Sequence, residues 1–334
     1  MGADAGGAAT EPAGVPAADR AGVPAADPAG VPAPGAPLLL RGRWFGPGRP
    51  VVMAVVNRTP DSFYAAARHD DASADAAVAR AAEEGADLVD LGGVRAGRGP
   101  AVDAAEEIAR VVPLVERVRR RHPDLLVSVD TWRAEVARAA ADAGADLLND
   151  TWAGHDPALV EVAAERGLGV VCSHTGGLPP RTDPLRVSYP LPPDAPAGAD
   201  PRDGVLLDVL ATLRASAARA VALGVHPASV LVDPTHDFGK STWHSLHLVR
   251  RTAALTALGH PVLVALSRKD FVGETLDLPP EDRLEGTLAA TSLAAWLGAR
   301  VFRAHDVRAT RRTVDMVAAL RGDAPPARAV RGLA

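Results

Sequence analysis

Polar and ionisable residues recur wherever a short apolar run ends. In chain order they are Asn57, Asp90, Asp130, Asn149 with Asp150, His174, Asp233, the Ser267-Arg268-Lys269 triplet, and Arg303 with His305. Carboxylates and an amide together suit a flat heterocycle that presents several N–H donors, while Lys269, Arg303 and His305 suit an anionic leaving group. Asn57 offers an oxygen to Mg²⁺ beside a phosphate, because that ion takes oxygen ligands and commonly bridges to substrate phosphates. Any single Asp or Asn here is as readily a cap on the helix that follows. Capping does not account for all eight ends.

The runs that must position these residues are Val51–Val56, Asp87–Leu91, Leu125–Val129, Asp146–Leu148, Gly169–Cys172, Val230–Val232, Val262–Leu266 and Arg300–Arg303. Val51–Val56 is apolar throughout, as expected of a strand covered on both faces in a parallel sheet. Several runs follow Gly-Ala-Asp or Gly-His-Pro, which fits a helix C-cap before a strand. Between them, Ala74–Glu84, Glu106–Arg121, Ala134–Ala143, Leu206–Leu223, Leu284–Leu297 and Arg311–Leu320 carry apolar residues at three and four spacing and read as helices. Eight strand–helix pairs in about 270 residues predict a TIM (β/α)₈ barrel, a fold of about 250 residues, with a doubly wound open sheet as the alternative. In a barrel these strand ends ring one mouth.

Composition narrows the functional classes. With 47% apolar and 23% charged residues, the 334-residue chain reads as an ordinary soluble globular protein. A net charge of −5 and a pI near 6.1 give no overall basic footprint, so no nucleic-acid partner is expected. Cys172 is the sole cysteine, which excludes an internal disulfide and fits a reducing compartment. No apolar run approaches the roughly 18 residues of a membrane helix, and no signal segment opens the chain, so a cytoplasmic protein without membrane contact is expected. Ala-Gly-Val-Pro recurs at positions 13, 21 and 29, and residues 1–36 read as a disordered leader. The barrel is expected over 37–322, with a C-terminal tail at 323–334. Gly176–Asp203 breaks the rhythm and reads equally as a cover over the site or as surface slack. P-loop, zincin and Gly-x-Ser-x-Gly signatures do not occur.

Taken together, these pieces resemble the dihydropteroate synthase family from about Val51 to Val307. The resemblance rests on Asn57-Arg58-Thr59-Pro60-Asp61-Ser62-Phe63, Asp90-Leu91-Gly92-Gly93, Ser128-Val129-Asp130-Thr131, Asn149-Asp150, Asp233-Pro234 with Phe238-Gly239-Lys240, Ser267-Arg268-Lys269, and Arg303-Ala304-His305-Asp306. It implies a TIM barrel, usually dimeric, that joins 6-hydroxymethyl-7,8-dihydropterin diphosphate to p-aminobenzoate and releases pyrophosphate with Mg²⁺. By position it implies that Asp130, Asn149, Asp233 and Lys269 hold the pterin. Asn57, Arg303 and His305 would hold the diphosphate, with Asn57 also on the metal, and Lys269, Arg303 and His305 would serve catalysis.

The chain also departs from the family's pattern. Where the family continues Ser-Asp-Gly-Gly after Ser62-Phe63, this chain has Tyr64-Ala65-Ala66-Ala67. Where it has Glu-Ser-Thr-Arg-Pro-Gly, this chain has Val94-Arg95-Ala96-Gly97-Arg98-Gly99. In the acceptor region near Phe238, Asp270 replaces a Ser that helps receive the acceptor's carboxylate, and Thr235-His236-Asp237 replaces Gly-Phe-Gly. Asp270 has a second reading, as an acid favoured at a helix N-terminus. The expectation is a diverged family member that binds the pterin diphosphate with weak or absent p-aminobenzoate condensation. A working synthase with compensated loops and a non-catalytic binding or regulatory barrel are the alternatives.

Overall fold

The computed structural model describes residues 31–57, 71–182, 188–193, 195, 197–198 and 200–331. The expected break at Tyr64–Ala67 and the first thirty residues of the expected leader lie outside the described residues. A hairpin, β1 (Leu38–Leu40) and β2 (Arg43–Phe45), comes first. Then follow β3 (Val51–Asn57), α1 (Asp71–Glu83), β4 (Leu88–Gly92), α2 (Ala104–Arg121), β5 (Leu126–Asp130), α3 (Ala134–Asp142) and β6 (Leu147–Asp150). The second half runs α4 (Leu159–Arg166), β7 (Gly169–Ser173), α5 (Asp203–Ala222), β8 (Val230–Asp233), α6 (Thr242–Arg250), α7 (Thr252–Thr256), β9 (Leu263–Ala265), α8 (Asp270–Leu276), α9 (Leu284–Trp296), β10 (Val301–Ala304) and α10 (Val307–Arg321).

Strands β3 to β10 form one parallel sheet in the order β8-β7-β6-β5-β4-β3-β10-β9. A parallel bridge between Val232 and Val262, with Val232 N–H donating to Pro261 O at 3.0 Å, joins its two outer strands and closes the barrel. All eight expected strands are present, with ends shifted by a residue or so, and the open sheet is excluded. No helix among the described residues is long and apolar enough to cross a membrane.

Strand alternation decides what faces the site. Val51, Met53, Leu88, Leu126, Leu147, Val171, Leu231, Leu263 and Val301 pack inside the barrel beneath Leu38, Leu40 and Phe45 of the hairpin. The residues between them, such as Val52, Val89, Val127, Leu148, Val232 and Phe302, pack under the helices. Continuing the inward series toward the C-terminal ends gives Asp90, Asp130, Asn149, Asp233 and Arg303, so one end of the interior is apolar and the other polar.

The stretch just ahead of the hairpin touches the barrel. Arg321 Nη2 donates to Pro32 O at 2.8 Å, and a Cβ on Gly35 would lie 2.1 Å from Gly298 O. Residues 31–36 are therefore laid against the barrel, because a largely buried guanidinium requires backbone acceptors.

Close packing at the hairpin end is testable at Gly169. A Cβ there would meet Leu40 Cδ2 at 2.5 Å, Leu147 Cδ1 at 2.9 Å and Ser229 O at 3.0 Å. Gly169→Ala should lower the urea unfolding free energy by about 1–3 kcal/mol. An unchanged midpoint would show that the hairpin can move away from the barrel at no cost.

Candidate functional site

Asn57, Asp130, Asn149, Asp233, Phe238, Lys269, Asp270, Arg303 and His305 line a single cavity of about 350 Å³ at the C-terminal mouth. The residues singled out from sequence are thus brought together. Residues 94–97 of the loop after β4 form another part of the wall.

Arg303 sits at the centre of the polar layer. Its Nε donates to Asp90 Oδ2 at 2.6 Å and its Nη2 to Asp130 Oδ2 at 3.0 Å. Asp90 is fully buried and also accepts from Ser128 Oγ at 2.6 Å and Asn149 Nδ2 at 3.0 Å. With its amide nitrogen committed to Asp90, Asn149 turns Oδ1 to the acceptor role. Burial pushes Asp130 up to about 7, an effect that Arg303 opposes and Asp90 reinforces. The sequence singled out Asp90 only as a strand end, and the structure makes it the anchor that orients both Arg303 and Asn149.

The opposite wall comes from the loops after β8 and β9. Burial raises the Asp233 carboxyl and lowers the Lys269 ammonium, and each opposes the other's shift. Lys269 donates to His236 O and lies 4.9 Å from the centre of the Phe238 ring. Phe238 is supported edge-on by Trp152 at 5.3 Å. Beneath, Lys240 Nζ donates to the carbonyls of His174 at 2.8 Å, Thr235 at 3.1 Å and Phe238 at 2.8 Å, which fixes the loop.

Asn57 ends β3 against Gly92. A Cβ on Gly92 would stand 2.7 Å from Asn57 Oδ1, and one on Gly93 would stand 2.7 Å from Val111 Cγ2, so both glycines are required by close approach. Among the described residues no group of three or more His, Cys, Asp or Glu side chains could hold a metal. One amide oxygen beside a polar cavity does fit Mg²⁺ carried by a phosphate ligand, since that ion keeps several waters and takes few protein ligands. Burial holds His305 down at about 4, with Arg303 adding to the effect, so its imidazole is neutral near pH 7.

The loop after β8 holds left-handed backbone at two residues with side chains. Thr235 and Asp237 have φ of 52° and 68°, left-handed values that suit glycine. Asp237 accepts from Ser245 Oγ at 2.9 Å and from the Phe271 N–H at 3.2 Å. Asp270 opens α8, as its helix-end reading required, and Arg283 Nη1 donates to it at 2.9 Å. It lines the cavity as well. His236 is completely buried, stacks on Phe271 at 6.0 Å, and neither ring nitrogen has a hydrogen-bond partner.

Besides Asp90, which anchors the polar layer without lining the cavity, two polar strand ends do not reach it. Asp150 and His174 follow the outward series of β6 and β7. Asp150 accepts from the backbone N–H of Trp152 at 3.2 Å and of Gly154 at 2.7 Å, while His174 Nε2 pairs with Asp208 of α5 at 2.7 Å. Alternation within each strand would have separated them from Asn149 and Asp233. Sequence reading also missed Arg181, from the segment expected as cover or slack. Its Nε donates to Gly97 O at 3.2 Å and its Nη1 to Pro100 O at 2.8 Å, tying that segment to the loop after β4.

Residues 53–305 match the pterin binding enzyme family. The chain is 58% identical over 297 residues to inactive dihydropteroate synthase 2 of Mycobacterium leprae, covering 89% of this chain and 99% of that protein. It is 36% identical to the dihydropteroate synthase of Bacillus subtilis, over 81% of this chain and 88% of the other. The Yersinia pestis dihydropteroate synthase in a sulfonamide drug complex superposes with a TM-score of 0.76 at 33% identity, covering 86% of this chain and 99% of that one. The chain belongs to the dihydropteroate synthase family of pterin-binding proteins.

Removing the central cation tests the polar layer. Arg303→Met leaves Asp90 and Asp130 without their shared counter-charge and should cost about 3–5 kcal/mol. Without the guanidinium the Asp130 carboxyl rises further above its unfolded value, and such a group loses its stabilising contribution as pH climbs through the folded value. Urea unfolding should therefore show a larger deficit at about pH 8 than at about pH 5. Equal deficits would mean that the guanidinium acts through packing alone.

Proposed function

We propose that the cavity binds 6-hydroxymethyl-7,8-dihydropterin diphosphate, and that the protein forms little or no 7,8-dihydropteroate from it with p-aminobenzoate. Asp130, Asn149 and Asp233 supply acceptors for the heterocycle's N–H groups, and Lys269 supplies a donor at its rim. Arg303, His305 and Asn57 take the diphosphate end. A phosphate beside His305 raises the imidazole's proton affinity and offsets the burial that holds it neutral. Asn57 would hold Mg²⁺ through its amide oxygen, and the ion would supply positive charge to offset that of the diphosphate. In this reading the protein is a cytoplasmic homodimer.

The observation that carries the reading is a contrast between the two ends of one cavity. The pterin end keeps its matched residues, while Asp237 and Asp270 add carboxylates where an acceptor carboxylate would approach. Two like charges at about 4 Å cost about 1 kcal/mol in water and about 4 kcal/mol at an effective dielectric of 20. Arg283 offsets part of that at Asp270. The Mycobacterium leprae relative, named as inactive, supports the same reading.

Calorimetry with the diphosphate and Mg²⁺ should show saturable binding that Asp233→Ala abolishes, because ligand donors would be buried unpaired. Pyrophosphate release with p-aminobenzoate should stay near background. Rapid release would identify a working synthase, and an absence of pterin binding would overturn the reading altogether.

A further inference from the structure

The cavity end beside α8 is enclosed by Asp237, Phe238, Asp270 and Pro280. Asp237 Oδ2 caps the Phe271 N–H at 3.2 Å and Oδ1 holds the Ser245 hydroxyl at 2.9 Å. That backbone donor is thus taken by the protein's own carboxylate. The cations lining this end already have partners. Lys269 is bound to His236 O and lies over Phe238, and Arg268 makes two bonds to Asp306, at 2.8 and 3.0 Å, and two to the carbonyls of Pro280 and Glu281, both at 2.7 Å. Asp270 differs: its Oδ1 pairs with Arg283, its Oδ2 takes no hydrogen bond from a described residue, and its side chain is 66% exposed.

From this accounting we infer that the end beside α8 takes an aromatic amine whose far group donates hydrogen bonds and carries no negative charge, a carboxamide in place of a carboxylate. The inference rests on the reading that the pterin diphosphate fills the other end. Asp270 Oδ2 is the acceptor for the far group, and the Phe238 ring is the wall against which the aromatic ring lies. Asp237 acts by exclusion, since it occupies the N–H of Phe271. A carboxylate entering here would find that donor taken, Arg268 engaged by Asp306 and two carbonyls, and the Asp270 carboxylate facing it.

p-Aminobenzamide and p-aminobenzoate differ only in the far group, so they make the test. Each is titrated calorimetrically into the full chain, both free and saturated with the pterin diphosphate and Mg²⁺. The amide should bind at least about tenfold more tightly than the carboxylate. Asp270→Ser combined with Asp237→Gly should abolish or reverse that preference. Equal or tighter binding of p-aminobenzoate, no binding of either compound, or an unchanged preference in the double variant would each overturn the inference. If the double variant does not fold, Asp270→Ser alone carries the test, because its side chain is largely exposed. Amide preference in the free chain without any pterin diphosphate binding would sink the proposed function and leave this inference standing.

Discussion

The site depends on one constraint: a cation and two carboxylates share the inside of a barrel whose other layers are apolar. Arg303 bridges Asp90 and Asp130, and Asp90 in turn holds Asn149 through its amide. A buried charge is tolerated only when paired and hydrogen-bonded, so these side chains have little freedom to choose other positions. Two negative groups face one positive group, and burial brings Asp130 up to about 7. Asp130 Oδ2 and Oδ1 are held by Arg303 and Thr151, so the layer is paired from both sides. Stability of the layer and recognition at the mouth are the same arrangement of bonds.

Much of this was legible in sequence because parallel barrels convert chain order into spatial order. Apolar runs such as Val51–Val56 marked the strands, and their polar ends named the residues of the mouth. What escaped the sequence depends on direction or on distance. Asp150 and His174 stand at strand ends, yet the two-residue period turns them toward the helices, as their bonds to Gly154 and Asp208 show. Helices α7 and α8, of 5 and 7 residues, span too few turns for apolar spacing to declare them. Arg181 acts on a loop 84 residues away, and no local pattern reports such a reach.

Divergence at the acceptor end is chemical more than geometric. Thr235 and Asp237 hold left-handed backbone angles that cost roughly 1–2 kcal/mol per residue for an L-amino acid with a side chain, and Thr is among the poorest candidates for them. The loop keeps that shape because Lys240 clamps three of its neighbouring carbonyls and Asp237 gains two hydrogen bonds of its own. A chain under no constraint at this loop would relax to ordinary angles. The strained path carries a carboxylate at Asp237 next to Phe238, and both line the cavity. The barrel and its polar mouth follow the family, while the departures from its pattern lie in two parts of the cavity wall, at Asp237 and Asp270 and at residues 94–97.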